Sequence, residues 1–116
     1  MRPQRDFLDY LRDILDAMEK AEDFTRKMNF EEFAGDSKTL FAVVRSFEII
    51  GEGAKNIPVP VRRRHPNVPW GKMAGMRDKM IHAYFGIDKA VIWRSLKEDI
   101  PVVKPLIATI IREMTT

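Results

Sequence analysis

The residues best suited to chemistry lie close together in one stretch of this chain, which contains Arg77, Asp78, His82 and Tyr84. Arginine carries a fixed positive charge that can hold an anion through two parallel hydrogen bonds. Histidine exchanges a proton near neutral pH more readily than any other side chain. The combination predicts acid–base chemistry beside a fixed positive charge.

This stretch is predicted to be helical, because neither Gly nor Pro interrupts it before Gly86, which is a typical C-terminal stop. Asp78 and His82 are four positions apart and therefore share one helix face. We expect Asp78 to hold one ring nitrogen of His82 and to favour its protonated form. The residues alone also allow a simpler interpretation, since a carboxylate and a histidine at this spacing commonly form a small surface pair.

The arginine and the histidine of this helix point in different directions. At about 100° per residue, Arg77 and Tyr84 lie on nearly the same face, whereas Arg77 and His82 diverge by roughly 140°. The two side chains could line opposite walls of a cleft but could hardly grip one atom between them. A second copy of the helix would complete such a site, so we predict a homodimer.

Four longer helices and several shorter ones are expected to position this stretch. Apolar residues at spacings of three and four predict helices over Gln4–Thr25, Ser37–Asn56, Trp70–Gly86 and Ile100–Met114. Two shorter helical segments are also expected: a turn over 29–34, with Phe30 and Phe33 facing inward, and a helix that Asp88 caps. The last of the long helices is expected to start as a new helix from Asp99. No strand-like alternation occurs, so we predict an all-α fold in one domain, residues 1–116.

The second long helix contains two features that need an explanation. Gly51 and Gly53 each cost about 1 kcal/mol relative to alanine inside a helix, and close approach of another helix is the expected reason. A charged stripe runs along the same helix and includes Glu48 and Glu52. It is either a solvent-facing ladder of ion pairs or a border of the cleft, where Glu48 or Glu52 pairs with Arg77 or positions a partner.

A loop is expected from Ile57 to Pro69, because its prolines forbid a continuous helix. Within it, Arg62, Arg63 and Arg64 form the densest positive patch of the sequence. The patch is either solvated or able to flank a cleft and hold phosphates. Trp70, which follows the loop, is predicted to be a core anchor.

Composition limits the classes of function. The net charge of +3 and the pI of about 9.3 permit an RNA or phosphate partner without requiring one. Cysteine is absent and there are two histidines, so disulfides and thiolate zinc sites are excluded and no metal or cofactor is expected. Neither a signal peptide nor a membrane span is recognisable, and we expect a cytoplasmic protein without a membrane partner.

The motif Arg77-x4-His82-x-Tyr84 resembles the Arg-x4-6-His signature of HEPN domains. The likeness extends in register over roughly the C-terminal two-thirds of the chain. In this part the sequence resembles the HepT-like toxins, which are encoded beside MNT-type nucleotidyltransferase antitoxins. The matching stretches are Ile49–Lys55, Pro69–Asp78, His82–Asp88 and Val91–Trp93.

This resemblance implies an antiparallel four-helix HEPN-like bundle with additional short helices, acting as a homodimeric, metal-independent endoribonuclease toxin. Arg77 and His82 would be catalytic, Asp78 would orient His82, and an acidic residue is expected at Glu52. Tyr84 would be the acceptor of AMP from the partner nucleotidyltransferase. Two alternatives remain: a non-catalytic substrate of that enzyme, modified at Tyr84, and a helical binding or dimerisation module without activity.

Overall fold

The computed structural model describes residues 6–86 and 88–115, with side chains described for 6–78 and 88–115, and all regular secondary structure in this part is helical. The four long helices are α1 (Phe7–Thr25), α3 (Ser37–Lys55), α5 (Trp70–Gly86) and α7 (Ile100–Thr115). Three short helices, α2 (Phe30–Gly35), α4 (Val59–Arg64) and α6 (Lys89–Arg94), connect them, and a π-helical turn spans Ser95–Asp99. The all-α prediction is therefore confirmed.

The first three helices begin at short polar side chains that accept a hydrogen bond from the first turn. Asp6 caps α1 and exchanges hydrogen bonds with Asp9, and Asn29 does the same with Glu32 at the start of α2. Asp36 caps α3 by accepting from the backbone N–H of Thr39. These caps satisfy donors that have no partner within the helix.

Helix α3 lies between α1 and α5, and two glycines make both contacts possible. A Cβ atom at Gly53 would lie 2.7 Å from Cγ1 of Ile14 in α1, and one at Gly51 would lie 2.9 Å from Cβ of Arg77 in α5. The predicted reason for the two glycines, close approach of other helices, is confirmed.

One hydrophobic core joins all four long helices, and α7 closes it by packing against α1. No helix in the described ranges is long and apolar enough to cross a membrane. The buried side chains from the four helices include Leu11, Ile14, Met18, Val43, Phe47, Ile50, Met73, Met76, Val103 and Ile107.

Short helix α2 is fastened to the bundle by aromatic contacts. Phe33 is fully buried, and its ring centroid lies 5.1 Å from that of Trp93 on α6. Phe30, which we expected to face inward, is 38% exposed and lies 6.2 Å from the same tryptophan. The expectation for Phe30 was wrong, because the first residue of a helix this short lies at the edge of the packed face.

The stretch from Ile57 to Pro69 is not entirely loop, because α4 occupies its first half. Pro58 precedes α4 and Pro60 lies in its first turn. A proline there removes no helical hydrogen bond, since the first N–H groups of a helix have no acceptor within it. The prolines therefore allow one short helix where we expected none.

The expected new helix at Asp99 is instead a continuation of α6. The π-helical turn links α6 to α7, and the N–H of Ile100 donates to the carbonyl of Ser95, five residues earlier. Pro101 follows directly and has no N–H to donate. A wider turn at this point lets the chain remain helical from Lys89 to Thr115.

Candidate functional site

Helix α5 carries the motif, and its first half is anchored in the core. The Trp70 side chain is buried and its indole Nε1 donates to the carbonyl oxygen of His65 at 3.0 Å. Met73 and Met76 are also buried. The predicted core role of Trp70 is confirmed, and this anchoring fixes the rotation of α5 and hence the direction in which Arg77 leaves it.

Arg77 lies where α3 and α5 are in closest contact. Besides its contact with the Arg77 side chain, a Cβ at Gly51 would lie 3.0 Å from the Arg77 backbone nitrogen and 3.2 Å from the carbonyl oxygen of Met73. The backbone of Arg77 is therefore held directly against α3, while its side chain is exposed. Among the side chains described, Arg77 forms no ion pair, so its guanidinium can receive an anion.

Asp78, the next residue, pairs with a lysine of the neighbouring helix. Its carboxylate lies 3.8 Å from Nζ of Lys55, beyond hydrogen-bonding distance, and the two side chains are 67% and 44% exposed. The pair is loose and solvent-accessible, so the carboxylate keeps acceptor capacity for a second donor. Sequence reasoning did not assign Lys55 to the site, because nothing in the spacing shows which residue of α3 would face Asp78.

The side chains of His82 and Tyr84 lie outside the described residues. The backbone of α5 is helical through Gly86, which is the register that the sequence argument assumed. Position 82 therefore shares a helix face with Asp78, and position 84 shares one with Arg77. The contact between Asp78 and His82 remains a prediction.

Neither glutamate of α3 pairs with Arg77 within the part of the chain whose side chains are described. The carboxylate of Glu48 lies 4.0 Å from a guanidinium nitrogen of Arg45, on its own helix. Glu52 lines a cleft between α1 and α3, together with Tyr10 and Arg45. Among the described side chains, Glu48 therefore pairs on its own helix and Glu52 faces the cleft beside α1.

The three consecutive arginines are on α4 rather than in a loop. Arg63 and Arg64 are exposed, and Nε of Arg64 is 3.4 Å from the carbonyl oxygen of Pro60. Nε of Arg62 is buried and has no hydrogen-bond partner among the described residues. The patch is available to an anionic partner, and contact with RNA remains a prediction.

These residues define the class of the protein: an all-α domain whose Arg77 is anchored through its backbone and forms no ion pair among the described side chains, beside a loosely paired carboxylate. An arginine of this kind can bind a phosphate through both arms of its fork. The carboxylate can accept a hydrogen bond from the histidine position one turn further along α5.

Comparison with known proteins gives the family. A family model described as "Ribonuclease HepT-like" matches residues 14–110. This chain belongs to the HepT-like ribonuclease family, which confirms the resemblance found in the motif.

Three curated relatives match over most of their own length. A Thermococcus cleftensis protein named "Probable ribonuclease HepT" is 56% identical over 87% of this chain and 92% of its own. A Methanocaldococcus jannaschii protein named "Putative RNase MJ1216" is 42% identical over 97% and 93%, respectively. "Putative RNase TTE0752" of Caldanaerobacter subterraneus is 40% identical over 90% and 93%. No solved structure gave a significant match.

Proposed function

We propose that this protein is a metal-independent endoribonuclease that acts as a homodimer and as the toxin of a toxin–antitoxin pair with an MNT-type nucleotidyltransferase. The observation that carries the proposal is Arg77, which is exposed and unpaired among the described side chains, and which begins the motif Arg77-x4-His82-x-Tyr84 on one helix. Family membership and relatives named as ribonucleases support the substrate class.

The chemistry is cleavage of RNA by its own 2′-hydroxyl. A base removes the 2′-OH proton, the 2′-oxygen attacks phosphorus, and the bond to the 5′-oxygen breaks as an acid protonates that oxygen. The products are a 2′,3′-cyclic phosphate and a 5′-hydroxyl. DNA, which has no 2′-OH, is not a substrate.

Each motif residue has one role in this reaction. His82 is the acid or base, a role typically worth 10²–10⁴-fold. Arg77 stabilises the negative charge that develops on the phosphoryl oxygens, and Asp78 orients His82. Because Arg77 and position 82 diverge by about 140° on one helix, a second copy is needed to bring both groups to one phosphate.

The test is incubation of the purified protein with labelled RNA in the presence of EDTA. The wild type should generate 2′,3′-cyclic phosphate ends, and His82→Ala and Arg77→Ala should each abolish cleavage while the helical circular dichroism stays unchanged. The chain has two histidines, so His65→Ala is a matched control, since His65 contributes a backbone carbonyl to Trp70. That variant should cleave like the wild type.

Two results would contradict this proposal. Cleavage that persists in His82→Ala removes His82 from the mechanism. Cleavage that requires an added divalent ion removes the metal-independent reaction.

Tyr84 is the basis of a second function, as the acceptor of AMP from the partner nucleotidyltransferase. It lies two helical turns from Arg77 on nearly the same face, so a phosphate attached to it would be placed to pair with that arginine and block the site. Tyr84→Phe should therefore cleave RNA but escape silencing by the partner enzyme and ATP. If the partner still silences this variant, modification of Tyr84 is not the means of control.

A further inference from the structure

A cavity lined mainly by apolar side chains lies where α1, α5 and the start of α7 meet, and its volume is about 230 Å³. Three methionines form part of its wall: Met18 of α1, and Met73 and Met76 of α5. Methionine side chains are flexible and polarizable, so they adapt to ligands of irregular shape. Neither Arg77 nor Asp78 lines this cavity, so it is distinct from the part of the motif whose side chains are described.

The volume of the cavity limits the ligand that fits it. An apolar cavity of about 150 Å³ inside a protein holds one benzene molecule. The cavity of this protein is about one and a half times as large, which corresponds to two fused rings rather than one. Val103 and Leu106 of α7 extend its apolar wall. A flat aromatic body bound there would be removed from water, which favours binding.

The polar side chains that line the cavity carry an excess negative charge. Nζ of Lys72 lies 3.4 Å from a carboxylate oxygen of Asp99, so these two charges balance. Asn67 is neutral. Glu98 also lines the cavity, is exposed, and forms no ion pair with any described side chain. This carboxylate is therefore placed to pair with a cationic group on a ligand whose apolar part lies in the cavity.

The backbone that carries the two acidic residues is a second, independent observation. Glu98 and Asp99 end the π-helical turn Ser95–Asp99. π-Helical turns within α-helices are rare and occur frequently at functional sites. In this chain the turn brings two consecutive carboxylates to the same apolar cavity.

We propose that this cavity binds a small organic cation that has a flat aromatic body of two fused rings and a primary ammonium group. The rings lie among Met18, Met73 and Met76, and the ammonium group pairs with Glu98. This inference goes beyond RNA cleavage and does not rest on it. The net charge of the protein is +3, which by itself attracts anions, so a preference for cations would come from the site.

Tryptamine and indole-3-propionate are matched probes, because they share an indole ring and differ in the sign of their charge. Binding is followed by NMR of protein labelled with ¹³C at the methionine methyl groups. Tryptamine should shift the signals of Met18, Met73 and Met76 saturably, with a dissociation constant of roughly 0.1–1 mM for a ligand of this size. The signals of Met28 and Met114, which lie outside the cavity, should not shift. Indole-3-propionate should bind roughly fivefold or more weakly.

Two variants test the charge and the location separately. Glu98→Gln removes the proposed counter-charge with little change in shape, and it should weaken tryptamine binding about two- to fivefold. Glu19→Gln, an exposed position of α1 outside the cavity, changes the net charge equally and should bind tryptamine like the wild type. Val103→Phe fills the cavity from α7 and should abolish the saturable shifts while the helical circular dichroism stays unchanged.

The outcomes decide each part of the proposal. Tryptamine that causes no saturable shift up to about 10 mM, an order of magnitude above the expected dissociation constant, or that shifts Met28 and Met114 equally, overturns the site. Equal affinity for the two probes refutes the role of Glu98, and unchanged binding in folded Val103→Phe refutes the location. Binding is measured without RNA, so a protein that binds tryptamine as described but cuts no RNA keeps this site and refutes the ribonuclease.

Discussion

Gly51→Ala tests whether the contact between α3 and α5 positions the site. The new methyl group would lie 2.9 Å from Cβ of Arg77, 3.0 Å from its backbone nitrogen and 3.2 Å from the Met73 carbonyl oxygen. None of these atoms is the end of a flexible side chain, so the two helices must separate. Arg77 would then move away from its position beside α3.

The size of the effect follows from two opposing terms. Alanine in place of glycine favours a helix by about 1 kcal/mol, whereas overpacking of a close contact costs about 1–3 kcal/mol. Gly75→Ala is the matched control, because it lies inside α5 and a Cβ there meets nothing within 4 Å. Both substitutions gain the same helix propensity, so their difference in unfolding free energy should equal the overpacking cost, about 1–3 kcal/mol.

Urea denaturation of the two variants measures this difference directly. Cleavage of labelled RNA measures the second consequence, since a displacement of about 1 Å in an active site can lower the rate by roughly 10²-fold. Gly51→Ala should cut RNA more slowly than Gly75→Ala under identical conditions. Equal stability and equal cleavage in the two variants would refute the argument that this contact positions Arg77.

Two further predictions concern the scaffold. Hydrogen bonds from the Thr39 hydroxyl and backbone N–H lower the pKa of Asp36 below its usual value. Stability from this cap should therefore be fully present above the unfolded-state pKa and lost as the pH falls through the folded-state pKa. Asp36→Asn, which still caps but does not titrate, should remove that part of the acid dependence, and an unchanged profile would contradict the assignment. Phe33→Ala should cost about 3–5 kcal/mol, because its ring is fully buried against Trp93. Phe30→Ala should cost clearly less in the same urea titration, and equal losses would mean that burial does not separate the two rings.

The errors of the sequence analysis have a common physical origin. The prolines between Ile57 and Pro69 were expected to forbid a continuous helix, but Pro60 lies in the first turn of α4, where the missing N–H has no acceptor within the helix. Phe30 was assigned to the core by spacing alone, and spacing does not show where a short helix meets the edge of the packed surface.

The sequence by itself determined the four long helices, the family and the motif, because apolar periodicity, caps and a short spaced motif are local properties of the chain. It also indicated that Gly51 and Gly53 meet other helices. Only the tertiary structure decided that Gly51 meets Arg77 and that Lys55 meets Asp78. These contacts join residues far apart in the chain, and their partners depend on how α3 and α5 are rotated against the core, which no local pattern specifies.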